Sequence, residues 1–294
     1  MKRSTLFSLT LFLLAFAGAS GQPFDLRYTM KNGAVLKYKK LESTKSVAQS
    51  VRGNFADLEK STEAFCLLTA EKPEGGDLVY IFLQDTVYVE DHSQSAAGGA
   101  KTFDFLNAIS KKPIRVRMSS KGDLRGAVPL APIDLSASPV PVSERTLTRQ
   151  AAILPVLPLR GLKVGDTWTD AVKDTTRPKQ RDPRFGEGNG ARYTAIRTSY
   201  SVDSLVTLRA HRCLKITWKS TVSIETKMIF AGSESFTEES SSNSGAMYFD
   251  PARGMLVELS LRTEKQSTTA VFSRESEVIP TTSTVETRLL LLPS

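Results

Sequence analysis

The residues best suited to chemistry in this chain of 294 residues are two histidines, His92 and His211, and two cysteines, Cys66 and Cys213. His211 lies two residues before Cys213. Neither histidine, however, belongs to a pattern such as His-x-x-x-His or Cys-x-x-Cys, which would supply several ligands to one metal ion. We therefore predict no metal site and no cofactor.

The polar side chains form no recognisable set for catalysis. No serine occupies a Gly-x-Ser-x-Gly turn, and the serines of residues 240–244 have no histidine nearby in the sequence. Glu238 and Glu239 are neighbours, so on a strand they point to opposite faces and cannot act as a carboxylate pair. The glycine-rich segment 186–190 lacks the Lys-Ser or Lys-Thr that completes a phosphate-binding loop. The sequence thus predicts no catalytic residues and favours a noncatalytic protein.

Cys66 and Cys213 allow either a disulfide bond or two buried thiols on separate strands. Both lie in apolar contexts, Phe65-Cys66-Leu67 and Arg212-Cys213-Leu214, which suit either state. An exported protein meets an oxidising compartment, which favours the bond. A bond also requires Cα atoms within about 7 Å, so the fold decides between the two states.

The longest strand predicted from the alternation of side chains covers residues 213–225. Five apolar residues share one face, and the other face carries Lys215, Thr217, Lys219, Thr221, Ser223 and Glu225. The apolar set is the candidate lining of a ligand site: Leu214, Ile216, Trp218, Val222 and Ile224. Such a stripe must be covered by helices, by a second sheet or by an apolar or lipid-like molecule. A core role is the commoner fate of large aromatic residues such as Trp168 and Trp218.

The surrounding elements predict an all-β, mainly antiparallel fold of long curved meander or half-barrel sheets. Residues 245–262 have the pattern of a hairpin, in which Asp250, Pro251 and Gly254 suit the turn. Short helices are predicted only over residues 103–109 and 143–154. Long strands with one apolar face twist and curl, so the sheet should wrap around whatever covers that face.

The chain divides near its start and near its middle. Residues 1–21 combine a basic start, an apolar run and small residues, which is typical of a signal peptide. We therefore expect export to the periplasm or the cell exterior, with no membrane span after cleavage. The proline-rich connector 130–160 separates a first β-unit, 22–129, from a second, 161–294.

A weak internal echo relates the two units. Gly33 and Gly122 recur 132 residues later as Gly165 and Gly254, each followed by an apolar residue at a matching distance. A repeat of this period favours two similar β-units, although glycine followed by an apolar residue is also common by chance.

The charge of the chain suggests a second kind of partner. The formal net charge is +8 and falls to +6 when Lys2 and Arg3 leave with the signal peptide. Part of the excess lies in the loop from Arg177 to Arg184, which could contact a polyanion or an envelope partner. Only Phe185 could stack on a base there, so nucleic acid is not predicted as a partner.

Two turn motifs carry a resemblance to known proteins. The Gly165-Asp-Thr-Trp168 turn, the Tyr248-Phe-Asp-x-x-x-Gly-x-Leu256 turn and the order of long strands are similar to those of bacterial exported β-rich proteins of uncharacterised function. More distantly, the chain resembles the curved half-barrel of LolA and LppX type lipoprotein carriers. The resemblance implies an exported, curved antiparallel sheet, and it transfers no functional residue because turn motifs are structural.

Together these patterns predict a noncatalytic exported protein that binds an apolar or lipid-like ligand in a concave β face. The alternative is an envelope or surface interaction protein with a filled core that contacts a partner or a polyanion. The interior distinguishes the two, since it should be open and apolar for the first and packed for the second.

Overall fold

The structure is a computed structural model that describes residues 23–49, 55–95, 109–133, 151–177, 179–182, 186–230, 233–272 and 276–293. The predicted signal peptide, 1–21, lies outside these residues. The predicted helices, 103–109 and 143–154, lie outside them except for residue 109 and residues 151–154.

Every regular element with described bounds is a β-strand. The first six strands are β1 (Val35–Gln49), β2 (Phe55–Ala70), β3 (Leu78–Asp91), β4 (Gln94–Ser95), β5 (Ile114–Met118) and β6 (Leu124–Pro129). The other seven are β7 (Thr167–Thr176), β8 (Lys179–Asp182), β9 (Gly186–Leu208), β10 (His211–Phe230), β11 (Ser233–Asp250), β12 (Met255–Phe272) and β13 (Glu277–Leu291). The predicted strand 213–225 is thus the middle of β10, which has 20 residues.

The strands form one antiparallel sheet in the order β6-β5-β3-β2-β1-β13-β12-β11-β10-β9-β7, while β4 pairs with β2 and β8 pairs with β9. The predicted all-β meander is confirmed. The strands of the first unit and those of the second meet where β1 pairs with β13. The edges of the path are β6 and β7, so the two long halves extend from a junction in the middle of the sheet.

The sheet curls strongly at one end. The amide of Tyr28 donates to the Ser120 carbonyl in the β5–β6 turn, and the next amide, that of Thr29, donates to the Gly254 carbonyl in the β11–β12 turn. Four strands separate β5 from β12, so a flat sheet would hold these turns about 24 Å apart. Two consecutive residues can reach both turns only because the sheet bends back on itself.

The covering segments fill the core at this end. Residues 23–31 and 151–166 lie against the sheet, and their Leu26, Leu157 and Leu162 are buried with residues of most strands. The Tyr28 hydroxyl donates to the Pro155 carbonyl at 2.8 Å, and the Tyr28 ring meets Phe249 edge to face. Residues 23–31 and 152–166 of this cover are irregular chain, and most of the predicted helix 143–154 lies outside the described residues.

The predicted turn of the 245–262 hairpin is confirmed. One carboxylate oxygen of Asp250 accepts the amides of Ala252 and Arg253, both at 3.0 Å, and Gly254 has a φ of +63°. A Cβ at position 254 would also meet the backbone of Arg27 and Thr29 at 2.7 and 2.8 Å. Glycine is required there both by the left-handed backbone and by the close approach of the covering segment.

The 132-residue echo has a counterpart in the backbone hydrogen bonds. Gly33 donates to the Ala70 carbonyl, whose own amide donates to Ala34, and the same pair of bonds joins Gly165, Val202 and Asp166. Ala70 and Val202 are 132 residues apart, and so are Ala34 and Asp166. The same pair of bonds thus occurs once in each of the two predicted β-units. No helix among the described residues is long and apolar enough to cross a membrane.

Candidate ligand-binding clefts

The alternation along β10 gives the sheet two different faces. On the first, here called the core face, Leu214 and Ile216 have 0% and 1% of their surface exposed. On the second, the exposed face, Lys219, Thr221 and the alternate residues after them are exposed to solvent. This division between the faces is the one that the sequence predicts.

The five candidate lining residues occupy different surroundings along the core face. Leu214 and Ile216 belong to the packed core. Trp218 is half-buried and packs against the core, while Val222 and Ile224 are half-buried farther along the strand. Trp218 borders two clefts, and Val222 borders a third. The predicted stripe is therefore filled at one end and accessible at the other.

An aromatic cleft of about 690 Å³ lies beside residues 155–160 of the covering segment. Its walls are three rings in register on neighbouring strands, Trp168 of β7, Tyr200 of β9 and Trp218 of β10. Ile216 and Met247 contribute apolar side chains, and residues 155–160 form its rim. We call this site the aromatic cleft. Of its three rings, Tyr200 was not singled out in the sequence, because a lone tyrosine in a polar run of β9 gives no pattern.

The first two rings are held rigidly. The indole of Trp168 stacks on the Tyr200 ring with centroids 4.7 Å apart and an angle of 9° between the planes. The guanidinium carbon of Arg160 lies 4.7 Å from the Trp168 ring, within the range of a cation–π contact. The wall of the cleft is therefore preformed, with a cation placed beside it.

The third ring is placed by a glycine. A Cβ added to Gly245 of β11 would collide with the Trp218 indole and would lie 2.6 Å from the Ser260 carbonyl. Trp218 and Gly245 are register partners in the sheet, so the missing side chain leaves the space over which the indole lies. Gly245 thus determines the position of the Trp218 indole.

The aromatic cleft has one cationic and one anionic side chain at its margin, Arg160 and Asp170. Asp170 lines it, and burial together with the charge of this carboxylate raises the pKa of the Tyr200 phenol. The phenol therefore stays neutral and able to donate a hydrogen bond at physiological pH. Arg160 and Asp170 give the cleft one group of each sign at its margin.

His211, two residues before Cys213, forms a structural pair with Asp250. His211 Nδ1 lies 2.9 Å from Asp250 Oδ2, and Asp250 also caps the β11–β12 turn. The Cys213 thiol donates to the His211 carbonyl at 3.6 Å. Burial and the charge of Asp250 raise the pKa of Cys213 to about 11, so the sulfur is protonated and weakly nucleophilic at neutral pH.

The two cysteines lie on well-separated strands of the sheet order. Cys66 and Cys213 are both buried free thiols, on β2 and β10, with β1, β13, β12 and β11 between them. Burial raises the pKa of Cys66 to about 11 as well. Within the described residues no three His, Cys, Asp or Glu side chains are arranged to hold a metal ion.

A second cleft lies farther along β10, at residues 221–223. It measures about 1060 Å³ and is lined by β1, β13, β12, β11, β10, β9 and β7, which are consecutive in the sheet. Ten of its lining residues are Ser or Thr, four are cations and one is a carboxylate. We call this site the polar groove. Part of the predicted basic loop from Arg177 to Arg184 lies outside the described residues.

No protein-family profile matches this chain, and no curated protein matches it. Among solved structures, Pseudomonas aeruginosa OccK11 (OpdR) is similar with a TM-score of 0.29 and 10% identity, over 91% of this chain and 100% of that chain. Salmonella typhi OmpF in complex with daunomycin has a TM-score of 0.24 and 6% identity, over 86% and 98%. A mutant of Rh. blastica porin has a TM-score of 0.24 and 8% identity, over 86% and 99%.

These scores are too low to transfer a function or a detailed fold. The antiparallel sheet itself confirms the all-β part of the resemblance drawn from the sequence. The more specific likeness to LolA and LppX type carriers gains no support from the neighbours named here.

Proposed function

We propose that this protein is exported and, without catalysis, binds an apolar or lipid-like molecule in the aromatic cleft. The observation that carries the proposal is the convergence of Trp168, Tyr200 and Trp218 on one open cleft beside a filled core. Large aromatic residues of a β-protein would ordinarily be packed inside. Here three of them form a wall that solvent or a ligand must cover.

The size and composition of the cleft suit a small amphiphile. A volume of about 690 Å³ lies within the usual range for small-molecule sites, which are mostly apolar with a few placed polar groups. The three rings provide most of the apolar surface, above the buried Ile216 and Met247. Arg160, beside Trp168, would orient an acidic or polar head at the margin.

The rim offers further apolar surface. Val156 and Leu159 have 62% and 82% of their surface exposed, and both belong to the segment 155–160 that borders the cleft. Exposed apolar side chains that adjoin an open cleft mark an interaction site more often than isolated ones do. A ligand in the cleft would bury them together with the rings.

The chain offers a direct test, because its two tryptophans both line this cleft. Intrinsic tryptophan fluorescence of the mature protein, titrated with oleate, should shift to shorter wavelength and saturate as the indoles leave water. An unchanged emission maximum up to the solubility limit of oleate would reject the proposal. Trp168→Phe and Trp218→Phe should each leave one reporter that still shifts.

The alternative function is that of an envelope or surface protein with a filled core. The packed end of the apolar row on β10 supports this alternative. Leu214 and Ile216 are packed beneath residues 151–166, so no ligand is needed to cover them. An absent response to oleate in the titration above would favour this alternative.

A further inference from the structure

The aromatic cleft lies on the concave face of the curled sheet. All the strand residues that line it, except Thr169, point to the core face by register. Over residues 193–199, 219–225, 238–244 and 262–268, the core-face side chains are buried or half-buried, and the alternate ones are exposed. Side chains come closer together on the concave side of a curved sheet and spread apart on the convex side. The core face is therefore the concave one beyond the packed core as well.

Three half-buried apolar side chains continue this concave face beyond the aromatic rings. They are Ile196 of β9 and Val222 and Ile224 of β10, and we call them the apolar strip. Ile196 and Val222 are register partners, as are Tyr200 and Trp218, so the strip lies on the same side of the sheet as the rings. The distance along β10 from Trp218 to Ile224 is about 20 Å at the usual rise of a strand.

A pair of hydroxyl groups connects the aromatic cleft with the apolar strip. Thr198 and Ser220 are register partners between the rings and the strip, and Thr198 Oγ1 donates to Ser220 Oγ at 3.0 Å. Both residues are buried, with 9% and 8% of their surface exposed. Because each hydroxyl group already has a hydrogen-bond partner, an apolar chain can cover the pair without leaving a polar atom unpaired. The rings and the strip can thus bind one continuous apolar molecule.

Polar residues bound the apolar strip on both sides and keep it narrow. On the edge strand β7, the exposed Asp170 and Asp174 flank the exposed Val172 on the same face. On β11, the register partners of the strip are Ser241 and Glu239. The half-buried apolar surface is therefore two strands wide and about 20 Å long. These dimensions suit a linear apolar chain, whereas a broad apolar partner would also bury the flanking carboxylates at a cost.

We propose that the ligand of the aromatic cleft is a single unbranched acyl chain with an anionic head, whose tail extends over the apolar strip to Ile224. This inference rests on the proposed function and adds the shape, direction and length of the ligand. Arg160, 4.7 Å from the Trp168 ring, supplies the cation for the head. Half of the hydrocarbon core of a bilayer is about 15 Å thick, so the apolar surface from Trp218 to Ile224 has about the length of one membrane acyl chain.

The test is a series of saturated fatty acids of increasing length: decanoate, laurate, myristate and palmitate. Tryptophan emission reports binding for every member, because both tryptophans line the aromatic cleft. The affinity of the wild-type protein should rise about two- to fourfold for each added methylene, because each one covers more of the apolar strip. This series needs no substitution, so it tests the inference even if a variant fails to fold.

The variant Val222→Ser/Ile224→Ser locates the tail of the ligand. It should bind decanoate within about twofold of the wild type and palmitate about tenfold or more weakly, because only the longer tail reaches the substituted positions. The matched control is Val285→Ser/Ile279→Ser, which makes the same two changes at half-buried positions of the same face on β13, three strands away. This control should keep the wild-type dependence on chain length.

The outcomes separate this inference from the proposed function. Equal affinity of the wild-type protein for decanoate and palmitate would overturn the acyl-chain inference and leave ligand binding in the aromatic cleft intact. An equal loss of palmitate affinity in the control variant would also overturn it, because the tail would then not lie on β10. No binding of any member of the series would reject the proposed function and this inference with it.

Discussion

Trp168 and Tyr200 stack face to face with centroids 4.7 Å apart, although 31 residues lie between them in the chain. They are register partners on β7 and β9, so the stack forms at the edge of the sheet where the core ends. Stacked rings of this kind hold each other in one orientation. The edge strand thus presents a preformed aromatic wall to a cleft that is not filled by the protein itself.

Gly245→Ala should destabilise the protein through the ring that completes this wall. The added methyl group would collide with the Trp218 indole and crowd the Ser260 carbonyl, and overpacking of this kind costs about 1–3 kcal/mol. Urea denaturation measures the loss. Gly126→Ala is the control, since a Cβ at Gly126 of β6 has no atom within 4 Å, and its midpoint should be unchanged or slightly raised. Equal urea midpoints for Gly245→Ala and Gly126→Ala would show that the Cβ at position 245 causes no overpacking.

Tyr38→Phe should lower the free energy of unfolding by about 1–2 kcal/mol. The buried Tyr38 hydroxyl donates to the Leu256 carbonyl at 2.9 Å, and its removal leaves that acceptor without this partner. Tyr88→Phe, at a side chain with 61% of its surface exposed, should have little effect. A neutral Tyr38→Phe would mean that the hydrogen bond across the curled sheet contributes nothing to stability.

Alkylation should find two thiols. In denaturant without reductant, iodoacetamide is expected to modify both Cys66 and Cys213, because both are free in the folded chain. In the native protein both should react slowly, because each is buried and its thiolate is scarce at neutral pH. Mass spectrometry that shows a mass two protons lower and no labelling would establish the disulfide instead.

Stability should fall at alkaline pH in part through Cys66. Burial raises the pKa of this thiol from 9.0 to about 11, so the Cys66 thiol ionises at lower pH in the unfolded chain than in the folded one. The stabilisation that is present below pH 9 is therefore lost as the pH rises to 11. The expected loss is about 2–3 kcal/mol. The free energy of unfolding of Cys66→Ala should therefore fall less than that of the wild type between pH 9 and 11, and the difference should equal that amount. The buried tyrosines are unchanged in the variant and contribute equally to both proteins. Parallel declines for the two proteins would refute the shift.

The fold could be anticipated from the sequence because alternation and turn chemistry are local. The two faces of β10 and the Asp250–Gly254 turn follow from residues within a few positions of each other. The 132-residue spacing of Gly33 and Gly165 also pointed to a recurrence that the backbone hydrogen bonds show. The lengths of the strands did not follow, because the Ser-rich and Thr-rich ends of β9 and β11 have little apolar pattern.

The candidate sites depend on contacts that no short pattern records. Whether Trp218 is covered depends on where residues 151–166 cross the sheet, which the local sequence does not specify. Tyr200 joins Trp168 only through the register of β7 with β9. The polar groove arises from side chains on seven strands, each of which looks like ordinary exposed surface when considered alone.

The most direct test of the central claim compares fatty-acid binding by two neighbouring substitutions on opposite faces of β10. The wild-type protein should bind a fluorescent fatty acid, and Trp218→Ala should weaken binding about tenfold or more through loss of ring contact. Lys219→Ala, one residue away on the exposed face, should bind as the wild type does. No binding by the wild type, or an equal loss from both variants, would contradict a ligand site in the aromatic cleft.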